Sequence, residues 1–244
     1  MLTRHHLVLG LLCSFIFGSA IAVFNLSLAV LVIGGTGIGV ILPDIHMKRP
    51  KKSILLMVAW VIVQAGSVIC VPVMCALYSR FFKIAAEPGD KRLTHSIPGV
   101  FLYLTILAGI AYVLVFLFKN YIPVFLAMGF LGGILLGMLL HLAEDLCTRK
   151  GISPFYPLND TRIFGSIRPC DVLDNRVLRF HLYHGSILSL FLVFQFAMNW
   201  SGYYLITFGF LSIGICVVSM VCQSDVRITL PENRFSDTRE AITA

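Results

Sequence analysis

Seven apolar blocks, at 7–24, 26–43, 53–82, 97–118, 121–140, 184–199 and 203–222, occupy most of this 244-residue chain. About 20 apolar residues suffice to cross a bilayer as a helix, and backbone in lipid must satisfy its own hydrogen bonds. The chain is 58% hydrophobic and only 13% charged. That leaves too little polar surface for a water-soluble globule. The pattern predicts an all-α polytopic membrane protein.

The polar segments sort by side. The breaks at Asn25, Lys119-Asn120 and Asn199-Trp200-Ser201-Gly202 are almost uncharged. All histidines, all acidic residues and every Lys and Arg except Lys119 fall in the other segments. This sorting requires block 53–82 to return to the side it entered from. A single crossing would set Lys48, Arg49, Lys51 and Lys52 opposite Lys91, Arg92 and His95, and Asp44 opposite His95. Gln64, Gly66, Ser67 and Pro72 at its centre also weaken a straight helix.

The expectation is about six transmembrane helices in three hairpins, plus a re-entrant or interfacial helical segment over 53–82. By the positive-inside rule the basic side faces the cytoplasm, with both termini, in a plasma or inner membrane. Lys119 can snorkel. The net charge of +7 reads as topology and not as nucleic-acid binding.

Residues 1–22 mimic a cleaved signal peptide, but the apolar run resumes at once, so retention as a first span is expected. Residues 1–222 read as one membrane-embedded domain and 223–244 as a flexible polar tail. Gly34, Gly35, Gly37 and Gly39 permit close helix contact in the second span. The cysteines number seven, lie mostly in apolar blocks and include no CxxC. They read as small buried hydrophobes, not as a disulfide framework or a thiolate zinc site.

Three motifs sit at helix ends on the basic side: Leu42-Pro43-Asp44-Ile45-His46, Asp90-Lys91-Arg92-Leu93-Thr94-His95-Ser96, and His141 through Gly151 followed by Phe155-Tyr156-Pro157. His141 and Asp145, four apart, share a helix face and can ligate one ion. Asp44 and His46 can chelate from an extended turn, and His6 and His95 can reach the same place. Imidazole and carboxylate donors suit Zn²⁺ foremost, then Mn²⁺ or Fe²⁺. Lys91, Arg92, Thr94, Thr148, Arg149 and Lys150 adjoin them and suit an anionic, phosphate-bearing substrate. Asp44 or Asp90 is the candidate catalytic base. His181 and His184 read as interfacial.

The motifs together resemble the LexA-regulated, inner-membrane metal-dependent hydrolase family (YdjM-like). His6-Leu7, Leu42-Pro43-Asp44, Thr94-His95-Ser96, His141, Asp145, Thr148, Gly151 and Tyr156-Pro157 match its pattern in order, across about residues 5–160. The chain departs from the pattern at His46 and Asp90, where the family has Asp and His, and at Met47 and Arg92, where it has His and Gly. The first two exchanges keep ligating atoms, whereas Met47 does not suit a hard cation.

The resemblance implies a membrane-bound hydrolase with a divalent metal, similar to zinc phospholipase C-like enzymes. Its partners would be membrane lipids and a lipid or small-molecule substrate, a polyprenyl or other lipid phosphoester first among them. A metal or ion transporter would carry ionisable residues near the bilayer midplane, and no span has a charged residue there. A non-catalytic membrane scaffold is the remaining alternative.

Overall fold

The computed structural model describes residues 3–51, 53–171, 173–198 and 202–230. Lys52, the Asn199-Trp200-Ser201 break and the tail from 231 onward lie outside the described residues. Within them the chain forms α1 (Thr3–Ala22), α2 (Leu26–Ile41), α3 (Ile54–Phe82), α4 (Ile97–Leu117), α5 (Val124–Leu146), α6 (Arg176–Met198) and α7 (Gly202–Gln223). All but α2 are long and apolar enough to cross a bilayer. The all-α class is as the apolar blocks predict.

Side chains set the helix starts. The Asn25 side chain accepts from the Leu28 amide and turns α1 into α2. Ser53 and Ser96 cap α3 and α4 in the same way. Each such cap satisfies one of the amides a helix start leaves unpaired.

The centre of the bundle is the parallel pair α2 and α5. A methyl group on Gly35 or Gly39 would strike the Phe130 or Ile134 carbonyl, and one on Gly133 or Gly137 the Val32 or Thr36 carbonyl. Small residues on both faces let these backbones touch, which is how helices pack where lipid removes the hydrophobic drive. At 16 residues α2 is short, yet it lies along α5 from Leu28 beside Gly129 to Val40 beside His141. α1 runs antiparallel to α2, with Gly10 at Val40 and Gly18 at Ile33.

The 53–82 block differs from the re-entrant hairpin. It is one continuous helix of 29 residues with Pro72 inside. Apolar residues that would have to expose backbone in a mid-membrane turn keep their hydrogen bonds in a helix. The supposed breakers are absorbed: Ser67 Oγ donates to the Gln64 carbonyl, and Gly66 lets the Tyr103 hydroxyl approach.

The helix, about 43 Å long, keeps to one end of the bundle. Ala59 and Val63 near its start cluster with Leu7, Ile41 and Met47. Gly66 faces Tyr103 and Leu42 at mid-length. Tyr78 near its end stacks on Tyr156 at 6.0 Å and clusters with Leu93. These partners all lie at or near the charge-rich helix ends.

The excursion between α5 and α6 folds over the same end. Its strand β1 (Arg162–Phe164) pairs antiparallel with β2 (Arg227–Thr229), Ile163 opposite Ile228. Ser166 Oγ also donates to the Ser224 carbonyl. The first residues beyond α7, expected as free tail, are thus held against this cap.

Candidate metal centre

Four chain segments deliver side chains to one point at the polar end. The first turns of α1 carry His6. The turn after α2 carries Asp44. The turn before α4 carries His95, and the last turns of α5 carry His141, Glu144 and Asp145. The glycine contact between α2 and α5 brings His141 Nδ1 to 2.7 Å from the Val40 carbonyl. Thr94 Oγ1 donates to the Pro43 carbonyl at 2.8 Å and so fixes the His95 turn against the end of α2. The Ile97 amide donates to the Pro154 carbonyl at 2.7 Å and joins that turn to the loop cap.

Each of the three rings has one nitrogen committed. A carbonyl or carboxylate can only accept, so the ring nitrogen facing it carries the proton. His141 Nδ1 faces Val40, His95 Nδ1 faces the Lys91 carbonyl at 3.1 Å, and His6 Nδ1 faces Glu144 Oε2 at 2.7 Å. The Nε2 atoms of His95 and His141 are then left with lone pairs, that of His6 faces Asp145, and the three converge. His141 Nε2 and His95 Nε2 are 3.3 Å apart. Asp145 lies 3.3 Å from His6 Nε2, 3.6 Å from His95 Nε2 and 3.7 Å from His141 Nε2. Asp44 lies 3.9 Å from His95 Nε2, and its other oxygen accepts from Thr3 Oγ1 at 2.7 Å.

Two overlapping triads, His6-Asp44-His141 and His95-His141-Asp145, have mutual ligand-atom separations within 4.8 Å. Facing lone pairs repel unless a cation lies between them. The Asp44 and Asp145 carboxylates face the rings and the Glu144 carboxylate backs His6, so the point they share favours a cation. The donors are nitrogen and oxygen, the set favoured by Zn²⁺, Mn²⁺ or Fe²⁺. A ring nitrogen held by a carboxylate or carbonyl while the other faces the centre is the usual outer support of a metal-binding histidine.

Burial sharpens the electrostatics at the two ligands carried by turns. Burial alone would raise the Asp44 carboxyl, but the His141 and His6 rings, the Thr3 hydroxyl and His95 hold it below the usual range. Burial lowers the His95 imidazole despite Asp145 and Asp44 beside it, which favours the neutral, ligating form.

A cleft of about 350 Å³ opens beside the cluster, with His95 and Asp145 among its lining residues and Lys91, Arg92, Lys150 and Arg162 around it. Arg92 lies 4.4 Å over the Tyr156 ring. Arg162 donates to the Lys150 carbonyl from two nitrogens, Nε at 3.1 Å.

The expected site residues divide. His6, Asp44, His95, His141 and Asp145 come together, and Lys91, Arg92 and Lys150 line the cleft. Thr94 braces His95 from behind. Thr148 Oγ1 donates to the Asp145 carbonyl at 2.9 Å and accepts from the Gly151 amide, so it secures the helix end. Arg149 is exposed and is not among the residues lining the cleft.

Asp90 does not join the cluster. It caps the 91–93 turn and is gripped by Arg92 at 2.8 Å, which holds its carboxyl below the usual range against the opposing effect of burial. His46 faces Gly89 and belongs to neither triad. Met47 packs among Leu7, Ile41 and Ala59. His184, expected at the interface, is fully buried beside Cys13 and Cys216. Three further residues, Glu144, Thr3 and Arg162, serve the site without standing out in the motifs. Glu144 does carry a signal, because with His141 and Asp145 it completes an i, i+3, i+4 face.

No curated protein and no solved structure matches the chain. A family model described as YdjM inner membrane protein matches residues 1–224, a stretch that takes in all seven helices and the five converging side chains. The chain therefore belongs to the YdjM inner membrane protein family.

Proposed function

We propose that the chain is a membrane-embedded, metal-dependent hydrolase of lipid or polyprenyl phosphoesters, working at the cytoplasmic face. The observation that carries this reading is the convergence of three imidazole Nε2 atoms and two carboxylates on one point, each Nδ1 already committed elsewhere. A divalent ion bound there supplies Lewis acidity and lowers the pKa of water.

The chain's own residues supply the rest. His6, His95, His141 and Asp145 would hold and orient the ion. Asp44 is ionised and carries one oxygen toward His95, so it is placed to take a proton from an attacking water. Lys91, Arg92, Lys150 and Arg162 draw an anionic headgroup into the cleft and steady its charge. The cleft lies at helix ends, the depth of lipid headgroups, so a substrate whose apolar part stays in the membrane reaches it by lateral diffusion. The cytoplasmic orientation rests on the excess of Lys and Arg at this end.

Purified protein in nanodiscs, loaded with Zn²⁺ or Mn²⁺, is offered polyprenyl phosphates, phospholipids and a soluble aryl phosphate. Metal-dependent hydrolysis of a lipid member, abolished by chelator, is expected. Turnover of the soluble ester alone overturns the lipid assignment, and no turnover of any member favours a non-catalytic scaffold.

A further inference from the structure

A second group of ligating atoms lies inside the bundle, away from the polar cleft. Cys13 of α1, His184 of α6 and Cys216 of α7 are all buried. One ligand atom from each lies within 4.8 Å of the other two. At about 1.5 Å of rise per residue, these positions are roughly 10–15 Å inside the polar helix ends. Their surroundings are apolar: Ile16, Ala20, Phe191 and Ile213 pack around the two cysteines.

His184 points to a ligand. Its Nδ1 donates to the Phe180 carbonyl at 2.8 Å, which places the proton there and leaves Nε2 as a bare lone pair. That Nε2 is buried and meets no donor in full hydrogen-bond geometry, with the Cys216 thiol as its near polar neighbour. A buried acceptor without a partner is costly, and an apolar pocket offers no water to satisfy it. The atoms near it are two sulfurs.

The charge count then selects the ligand. Two thiolates and a neutral imidazole carry two negative charges, which a divalent cation cancels, so the complex sits in an apolar core without net charge. Thiolate and imidazole favour Zn²⁺ and similarly thiophilic ions over Mg²⁺ or Ca²⁺.

We infer that Cys13, His184 and Cys216 form a second, thiophilic metal site that staples α1, α6 and α7 together. Binding a divalent ion makes two metal–sulfur bonds and one metal–nitrogen bond, and the two thiol protons pass to solvent. The site does not depend on the proposed hydrolase reading, because the polar-end centre has only nitrogen and oxygen donors.

Cobalt separates the two sites. Full-length protein in detergent is loaded with Co²⁺, and thiolate-to-cobalt charge-transfer absorption is recorded. The band is expected in the wild type and in Asp145→Ala, and is expected to vanish in Cys13→Ser and Cys216→Ser while those variants keep the cobalt bound by the polar-end ligands. No band in the wild type overturns the site, as does a band that survives both serine substitutions. Two fewer titratable thiols without a band makes the pair a disulfide and also overturns it. Should the serine variants fail to fold, alkylation of the wild type read by mass spectrometry decides. Co²⁺ is expected to protect Cys13 and Cys216, and equal labelling with and without it overturns the site.

Discussion

His95 Nε2 and His141 Nε2 face each other at 3.3 Å, although the proton of each ring is committed on the far side, to the Lys91 and Val40 carbonyls. Two lone pairs at that distance repel, and a cation between them turns the repulsion into two bonds. Adding Zn²⁺ or Mn²⁺ to metal-stripped protein should therefore raise its melting temperature. A ligand at a hundredfold excess over its Kd contributes about 2.7 kcal/mol. In protein carrying Cys13→Ser and Cys216→Ser, His141→Ala should abolish the rise, and an undiminished rise in that variant would place the ion elsewhere.

Glu144 acts through His6. Its carboxylate holds the His6 Nδ1 proton at 2.7 Å in a fully buried pair. Glu144→Gln keeps the shape but loses the charge, so metal affinity should fall by ~10–100-fold, the range of outer-support changes at metal sites. Asp145→Ala should lose more. A metal titration that gives Glu144→Gln the wild-type affinity would remove the residue from the site.

The cations of the cleft should act on substrate and not on metal. Lys150→Ala is expected to raise KM for an anionic lipid by about tenfold, or ~1.4 kcal/mol, with unchanged metal content. Equal loss of metal and activity would mean that the substitution disturbs the cap and not the substrate.

How much of this is legible in the sequence follows from what a bilayer forbids. Charged groups in so apolar a chain must collect at helix ends, so His6, Asp44, His95, His141 and Asp145 stand out from the sequence alone. Direction within a turn does not follow from spacing: His46 is two residues from Asp44 yet turns to Gly89, and Asp90 is held by its neighbour Arg92. The course of 53–82 is not legible, because Gly66, Ser67 and Pro72 look like breakers one at a time, whereas the neighbouring Tyr103 gives Gly66 a packing role. Cys13, His184 and Cys216 come from three helices, so no local spacing announces them.

The contact of α2 with α5 sets the His141–Val40 bond, and it can be tested without touching a ligand. Gly137→Ala places a methyl against the Thr36 carbonyl and the Val40 amide. It should destabilise by ~1–3 kcal/mol and weaken metal binding. Gly132→Ala on the same helix meets nothing within 4 Å and should be neutral or stabilising by ~0.5–1 kcal/mol. Matching melting temperatures for the two variants would deny the contact its role.

The central claim is that His6, His95, His141 and Asp145, with Asp44 beside them, hold a metal ion at the polar end. Metal analysis of protein carrying Cys13→Ser and Cys216→Ser, with and without Asp145→Ala, tests it most directly. Roughly one divalent ion per chain is predicted for the cysteine-substituted protein, as for a single nitrogen/oxygen centre, and almost none once Asp145 is also replaced. The same metal content in both proteins would contradict the account.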